Sequence, residues 1–435
     1  MNQVNKTLSS SRSAGHSINA LAYRWMSWAL VFLLLITFTG LSLRYYFLSE
    51  IPGFTFNNLK HMHSHVAMLG WAFMASVAML LYLFIEHTRQ LSQYKWLLGL
   101  NILAVVGMSV SFPLQGYAFY SILFSTLHVF FAYWFSILFL RDLKYTTAPA
   151  LATSFARWSV IWMMISTLGL WSVAVVAAHP VGTSTLYFMS IQWFLHFQLV
   201  GWFSYAVIAG LIMYCHRQGF ELKVPDNTFL GVQASLLLTY ALSINWSMSS
   251  PALFYLNSLG VVIQLVAYYF ILRELIRVVF GNEVFNNGIF SWLIKIGILT
   301  LVARILIQTL VVIPAVADIA YTLRMFVVAF IHLIMVGFFT ITAVGLFGEQ
   351  GYLRKNRISA GGWMLYLLAF IATEFLLFFQ GTMLWTGKGF IPSFYTILFY
   401  ASALFPLGIS IAVAGQFFGD KRRVTSFSNH KKYKS

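Results

Sequence analysis

The chain is poor in charge. Only 9% of its 435 residues are Asp, Glu, Lys or Arg, against about 25% in a soluble globular domain. So few charges cannot cover a water-exposed surface, which excludes a soluble enzyme. Cysteine is nearly missing. Cys215 stands alone, so an intrachain disulfide, a Cys-rich zinc or iron–sulfur centre and covalent c-type haem are all excluded. Acidic residues are scarce too, 11 against 27 Lys and Arg. What the chain holds in excess is apolar: 60% hydrophobic and 18% aromatic residues, with a mean hydropathy of +0.79.

This composition describes an all-α polytopic membrane protein. A crossing needs about 20 mostly apolar residues. Twelve such windows fall near 25–43, 63–85, 96–117, 118–140, 158–178, 188–214, 228–248, 252–275, 289–313, 325–347, 362–385 and 394–416. The breaks at 117/118 and 248/252 are the slightest, a Gly-Tyr and a Ser-Ser-Pro turn. Residues 1–20 read as a polar tail, 21–418 as one membrane domain and 419–435 as a basic tail. No Ala-x-Ala cleavage site precedes the first span, which therefore reads as a retained anchor.

Lys and Arg set the sidedness. With the N-terminus in the cytoplasm, the cytoplasmic segments carry Lys6, Arg12, Arg24, Arg89, Lys95, Arg141, Lys144, Arg157, Arg217, Lys223, Arg273, Arg277, Arg354, Lys355, Arg357 and six tail residues. The outer segments carry only Arg44, Lys60, Arg324 and Lys388, while Lys295 and Arg304 lie inside a span. The positive-inside bias supports the helix count and puts both termini in the cytoplasm of a bacterial inner membrane. It also accounts for the basic pI through lipid contact, without nucleic acid.

Three intramembrane histidines share a pattern. His65-Val-Ala-Met-Leu-Gly70-Trp71, His196-Phe-Gln-Leu-Val-Gly201-Trp202 and His332-Leu-Ile-Met-Val-Gly337-Phe338 each read His, four residues, Gly, aromatic. They are 131 and 136 residues apart, which is four spans each. The pattern implies three pseudo-symmetric four-helix arcs, approximately 21–140, 158–275 and 289–416. Histidine is costly in a bilayer and marks a site. The three fall in spans two, six and ten, within about the first two turns from the outer face. They are expected at one depth, converging on a common axis or on neighbouring pockets. The glycine admits a flat cofactor or a neighbouring helix. Span two adds His61 and His63. Positions i and i+2 point about 200° apart, so His63 and His65 should serve different sites, while His61 and His65 share a face. Neutral imidazole suits copper or haem iron.

Twelve spans in three arcs, with histidines in spans two, six and ten, resemble the haem–copper oxidase subunit I superfamily. His63-Ser-His65-Val-Ala-Met-Leu-Gly70-Trp71 resembles a His-x-His…Leu-Gly-Trp segment of cbb-type oxidases, where it lies on helix ten. It is similar to an early His-x-His-x4-Gly-aromatic segment of NnrS-type membrane proteins, which bind haem and copper and are tied to nitric oxide stress. His332-Leu-Ile-Met-Val-Gly337 is similar to a later segment of that family. The resemblance implies a b-type haem between His65 and His332, with His196 near a second metal such as copper. It also implies an electron donor or partner subunit. The oxidase copper site needs a His-His pair on span seven and a second histidine on span ten, and this chain has neither.

Other residues leave alternatives open. Arg304, a cation inside span nine, calls for an anion: a haem propionate, with Arg324 joining, or Asp318, or Glu374. Glu374 pairs with Arg304, carries protons, or sits protonated. His128 is a ligand, a proton carrier or an interhelical hydrogen-bond partner. His179 before Pro180 is a helix stop or a copper or propionate contact. His87 and His216 read as helix caps, and Lys295 as snorkelling. Two further classes compete with a redox haem protein: a metal-ion transporter using His61, His63 and His65, and a non-catalytic haem sensor or assembly factor.

Overall fold

A computed structural model describes residues 2–178, 184–245, 247, 248, 250–286 and 288–417, with side chains from residue 18 onward. Every regular element among the described residues is helical. Among these residues twelve helices are long and apolar enough to cross a membrane: α1 Ile18–Tyr45, α2 Phe56–Phe84, α3 Leu91–Gln115, α4 Phe119–Tyr145, α5 Ala150–Ala177, α6 Thr185–Arg217, α7 Thr228–Asn245, α8 Pro251–Gly281, α9 Ile289–Val312, α10 Arg324–Glu349, α11 Arg357–Trp385 and α12 Phe394–Ala414. The two slight breaks are real. Gly116 turns the chain between α3 and α4 with φ +63, and Pro251 opens α8 at its first helical position, where its missing N–H is harmless.

Two features differ from the sequence reading. The first helix runs back to Asn2, so the polar tail continues the helix rather than preceding it. A short helix, Pro314–Thr322, lies between α9 and α10. The basic tail from residue 418 onward and His179 lie outside the described residues.

The helices enclose one another unequally. In α6 94% and in α2 78% of the most apolar window is buried, against 33% in α4, α5 and α12. Helices α2, α6 and α10 pack together at the centre, and α12 returns to pack on α1. The outer helices show apolar stripes at helical spacing. Leu103, Val106, Val110 and Leu114 on α3 are exposed, as are Met364, Leu368, Ile371 and Phe375 on α11. In a bilayer these faces meet lipid, where apolar exposure carries no penalty. The faces of the molecule are called basic, where α1 begins, and charge-poor, where α2, α6 and α10 begin.

Candidate functional site

In each central helix the repeated histidine ends an α-helical stretch: Phe56–His65 with 10 residues, Ser184–His196 with 13 and Arg324–His332 with 9. At about 3.6 residues per turn, each histidine lies about a third of the way along its span from the charge-poor end, deeper than two turns. Directly after each histidine the helix widens into a π-helical turn, Val66–Ala72, Phe197–Phe203 and Leu333–Thr340. Such turns insert one residue and free a carbonyl.

The carbonyl three residues past each histidine is reclaimed from the residue eight past it. Phe73 N–H donates to Met68 O. The Ser204 hydroxyl donates to Leu199 O at 2.7 Å, and the Thr340 hydroxyl to Met335 O at 2.7 Å. Three copies of one local geometry, on three helices, make the internal repeat structural.

The repeated glycine serves helix packing rather than a cofactor. A Cβ on Gly70 would stand 2.9 Å from Val105 of α3 and 3.1 Å from Phe32 of α1. On Gly201 it would meet Trp162 of α5 at 2.8 Å and Leu236 of α7 at 3.4 Å. On Gly337 it would meet Thr300 of α9 at 2.6 Å and Phe370 of α11 at 2.5 Å. In every arc the first and third helices close on the second at this point.

The three imidazoles do not converge on one axis. Each turns toward the third helix of its own arc, and what it meets there differs. His65 uses both nitrogens: Nδ1–H donates to His61 O at 2.8 Å, and the Tyr117 hydroxyl approaches Nε2 at 3.2 Å. Its ring lies 4.3 Å from that of Phe112 and 6.5 Å from that of His61, so His61 and His65 do share a face. His196 Nε2 donates to Leu236 O of α7 at 2.8 Å. His332 Nδ1 faces Glu374 Oε1 of α11 at 3.9 Å, and its side chain keeps 28% of its surface accessible.

His63 points the other way, toward α1. Its Nδ1 meets the Thr39 hydroxyl at 3.2 Å beside the Ile36 carbonyl, and Gly40 leaves only 3.0 Å between a would-be Cβ and the ring. His332 lies within electrostatic range of His63 and of Arg44. Of the α2 histidines it is His63 that lies within electrostatic range of His332, while His65, expected opposite His332, turns to Tyr117 and Phe112 instead. The physical reason is the 200° between neighbouring alternate positions, which sends His65 to α3 and His63 into the space bounded by α1, α2, α10 and α11.

That space collects charge. Arg44 lies within electrostatic range of Glu374, Arg324 and Tyr395. Arg324 sits over the Phe56 ring, 6.0 Å from its centroid, where α10 begins. Both carboxylate oxygens of Glu374 are buried without a hydrogen-bond partner among the described residues. Glu374 thus belongs with His332 and Arg44. Of the alternatives for Glu374, the ion pair with Arg304 is not formed among the described residues, since Arg304 lies beside Tyr268 of α8.

Of the remaining candidates, His128 is a satisfied core residue: Nε2 donates to Leu69 O at 3.1 Å and the ring packs on Phe73. His216 and Arg217 occupy the last turn of α6, where cations suit the helix dipole. His87 lies past the end of α2, beyond capping position. Lys295 reaches Asn286 and lies over the Trp292 ring.

His63 and His332 are the two histidines within electrostatic range of each other in this space. His63 Nδ1 lies within hydrogen-bond distance of a hydroxyl oxygen, and His332 Nδ1 faces a carboxylate oxygen at the longer distance of 3.9 Å. Neither Nε2 makes a hydrogen bond among the described residues. Arg44 and Arg324 stand on the charge-poor side of both rings and suit carboxylate groups. A cluster of three or more His, Cys, Asp or Glu able to hold a bare metal ion is absent among the described residues. Neither a family model nor a curated protein matches this chain.

Proposed function

We propose that this polytopic membrane protein binds a b-type haem between His63 and His332 and works in electron transfer or in nitric oxide or oxygen redox chemistry. The observation that supports this most is the pair itself, two half-buried imidazoles on α2 and α10 within electrostatic range of each other, each with Nδ1 turned to an oxygen. Haem supplies one-electron chemistry at iron. The chain supplies the rest. Thr39 and Glu374 orient the two rings, Arg44 and Arg324 neutralise propionates, and the apolar helices exclude water.

Copper, if bound, falls to His61 and His65, which share a face beside Tyr117. His196 faces a backbone carbonyl instead. Metal-ion transport through the α2 histidines is disfavoured, since His63 turns to α1 and the other two to α3. A sensor or assembly factor would use the same haem and differ in lacking gas turnover. The charge bias supports a reading with both termini in the cytoplasm of a bacterial inner membrane, and an electron donor or partner subunit completes the redox reading.

Purified protein from haem-replete cells tests this reading. A Soret band with the pyridine haemochrome of non-covalent b-type haem is the expected result. Protein with no Soret band would remove the proposal.

A further inference from the structure

A second buried polar group lies one arc away, and it is the reverse of the first: a cation with no anion. Arg304 on α9 is 1% exposed, and Nε, Nη1 and Nη2 all lack a hydrogen-bond partner among the described residues. Its polar neighbours are neutral. The Tyr268 hydroxyl stands beside the guanidinium, outside the geometry of a formed hydrogen bond, and Tyr205 and His196 lie within electrostatic range. Helices α8 and α9 pack antiparallel. With Tyr268 opposite Arg304, the next turn toward the charge-poor face sets Gln264 opposite Gln308. Both amide oxygens there are buried and unpartnered, and so are both amide atoms of Asn257 further along the same face of α8.

An uncompensated guanidinium in a low-dielectric interior is strongly unfavourable, and neutral dipoles do not offset it. Asn and Gln side chains carry N–H donors that can be turned toward an anion. His196 offers no free Nε2 to a metal, since that nitrogen is committed to Leu236 O. The burial of Arg304 keeps lipid headgroups out of reach.

We infer that the compartment between α6, α8 and α9 is a binding site for a small planar monoanion with two oxygen acceptors, the class of formate, nitrite and nitrate. The guanidinium fork takes the two oxygens, while Tyr268, Gln264 and Gln308 supply further donors. This site is independent of the haem reading.

The test is thermal unfolding and calorimetric titration of the purified full-length protein, with formate, nitrate and chloride added separately to a buffer of large organic anions. Formate or nitrate at about 100 times its Kd should raise Tm by about 3 °C. Arg304→Leu should unfold no lower than wild type without added anion, and its response to formate should be lost. Arg304→Lys keeps the charge without the fork and should fold, with affinity at least about tenfold weaker. The same titration on His63→Ala should match wild type. The inference is overturned if wild type ignores both formate and nitrate, or if chloride acts as strongly as formate. Undiminished affinity in Arg304→Lys, or an undiminished response in Arg304→Leu, overturns it equally.

Discussion

Which imidazole nitrogen is already engaged separates the histidines of this protein more sharply than their positions do. His65, His128 and His196 each commit Nε2 to an oxygen, whereas His63 and His332 direct Nδ1 to one. The sequence pattern makes the matching place of His65, His196 and His332 along their helices legible, because the motif recurs every four spans. It does not reveal which of His63 and His65 faces α10. That depends on Thr39, Gly40 and Glu374, which lie far away along the chain and show no motif. Glu374 has a distinct expected effect. A carboxylate facing Nδ1 makes the imidazole a more electron-rich ligand. Glu374→Gln should therefore raise the haem midpoint potential by on the order of tens of mV with the low-spin spectrum retained. Redox titration of wild type and variant checks this, and an unchanged midpoint would separate Glu374 from the haem.

Helices α2, α6 and α10 carry the repeat in their backbones. The π-helical turn after each histidine could not be read from composition, since its apolar residues fit an ordinary helix equally well. It shows only in which carbonyl the residue eight further on satisfies. The glycine in the motif was legible, but its two meanings were not separable by sequence. Contacts at 2.5–2.9 Å from the would-be Cβ atoms of Gly70, Gly201 and Gly337 decide for packing. Gly201→Ala and Gly337→Ala should each destabilise the protein by about 1–3 kcal/mol through overpacking. Gly99 and Gly361 have nothing within 4 Å, so Ala at either should leave stability unchanged or slightly raised. Thermal unfolding in detergent measures all four. Equal Tm values across the set would contradict the packing role.

Twelve membrane-length helices among the described residues are an even number, so α1 begins and α12 ends on one side if each crosses once, and the three arcs leave three polar compartments that differ in chemistry. One holds two imidazoles with a carboxylate and arginines. One holds His61, His65 and Tyr117. One holds Arg304 among neutral groups. The number of crossings was legible because a bilayer demands a minimum apolar length. The division into unlike compartments was not, because it depends on which helices become neighbours. Reporter fusions test the orientation: a fluorescent protein after Lys355 should fluoresce, and alkaline phosphatase after Lys388 should be active. The opposite pattern would invert the topology while leaving the fold intact.

The pairing of His63 with His332 is examined most directly by electron paramagnetic resonance of the oxidised, haem-replete protein beside three alanine variants. Wild type and His65→Ala should show the same low-spin bis-imidazole signal, and His63→Ala and His332→Ala should both lose it. A signal that survives in His63→Ala, or vanishes in His65→Ala, would contradict the account.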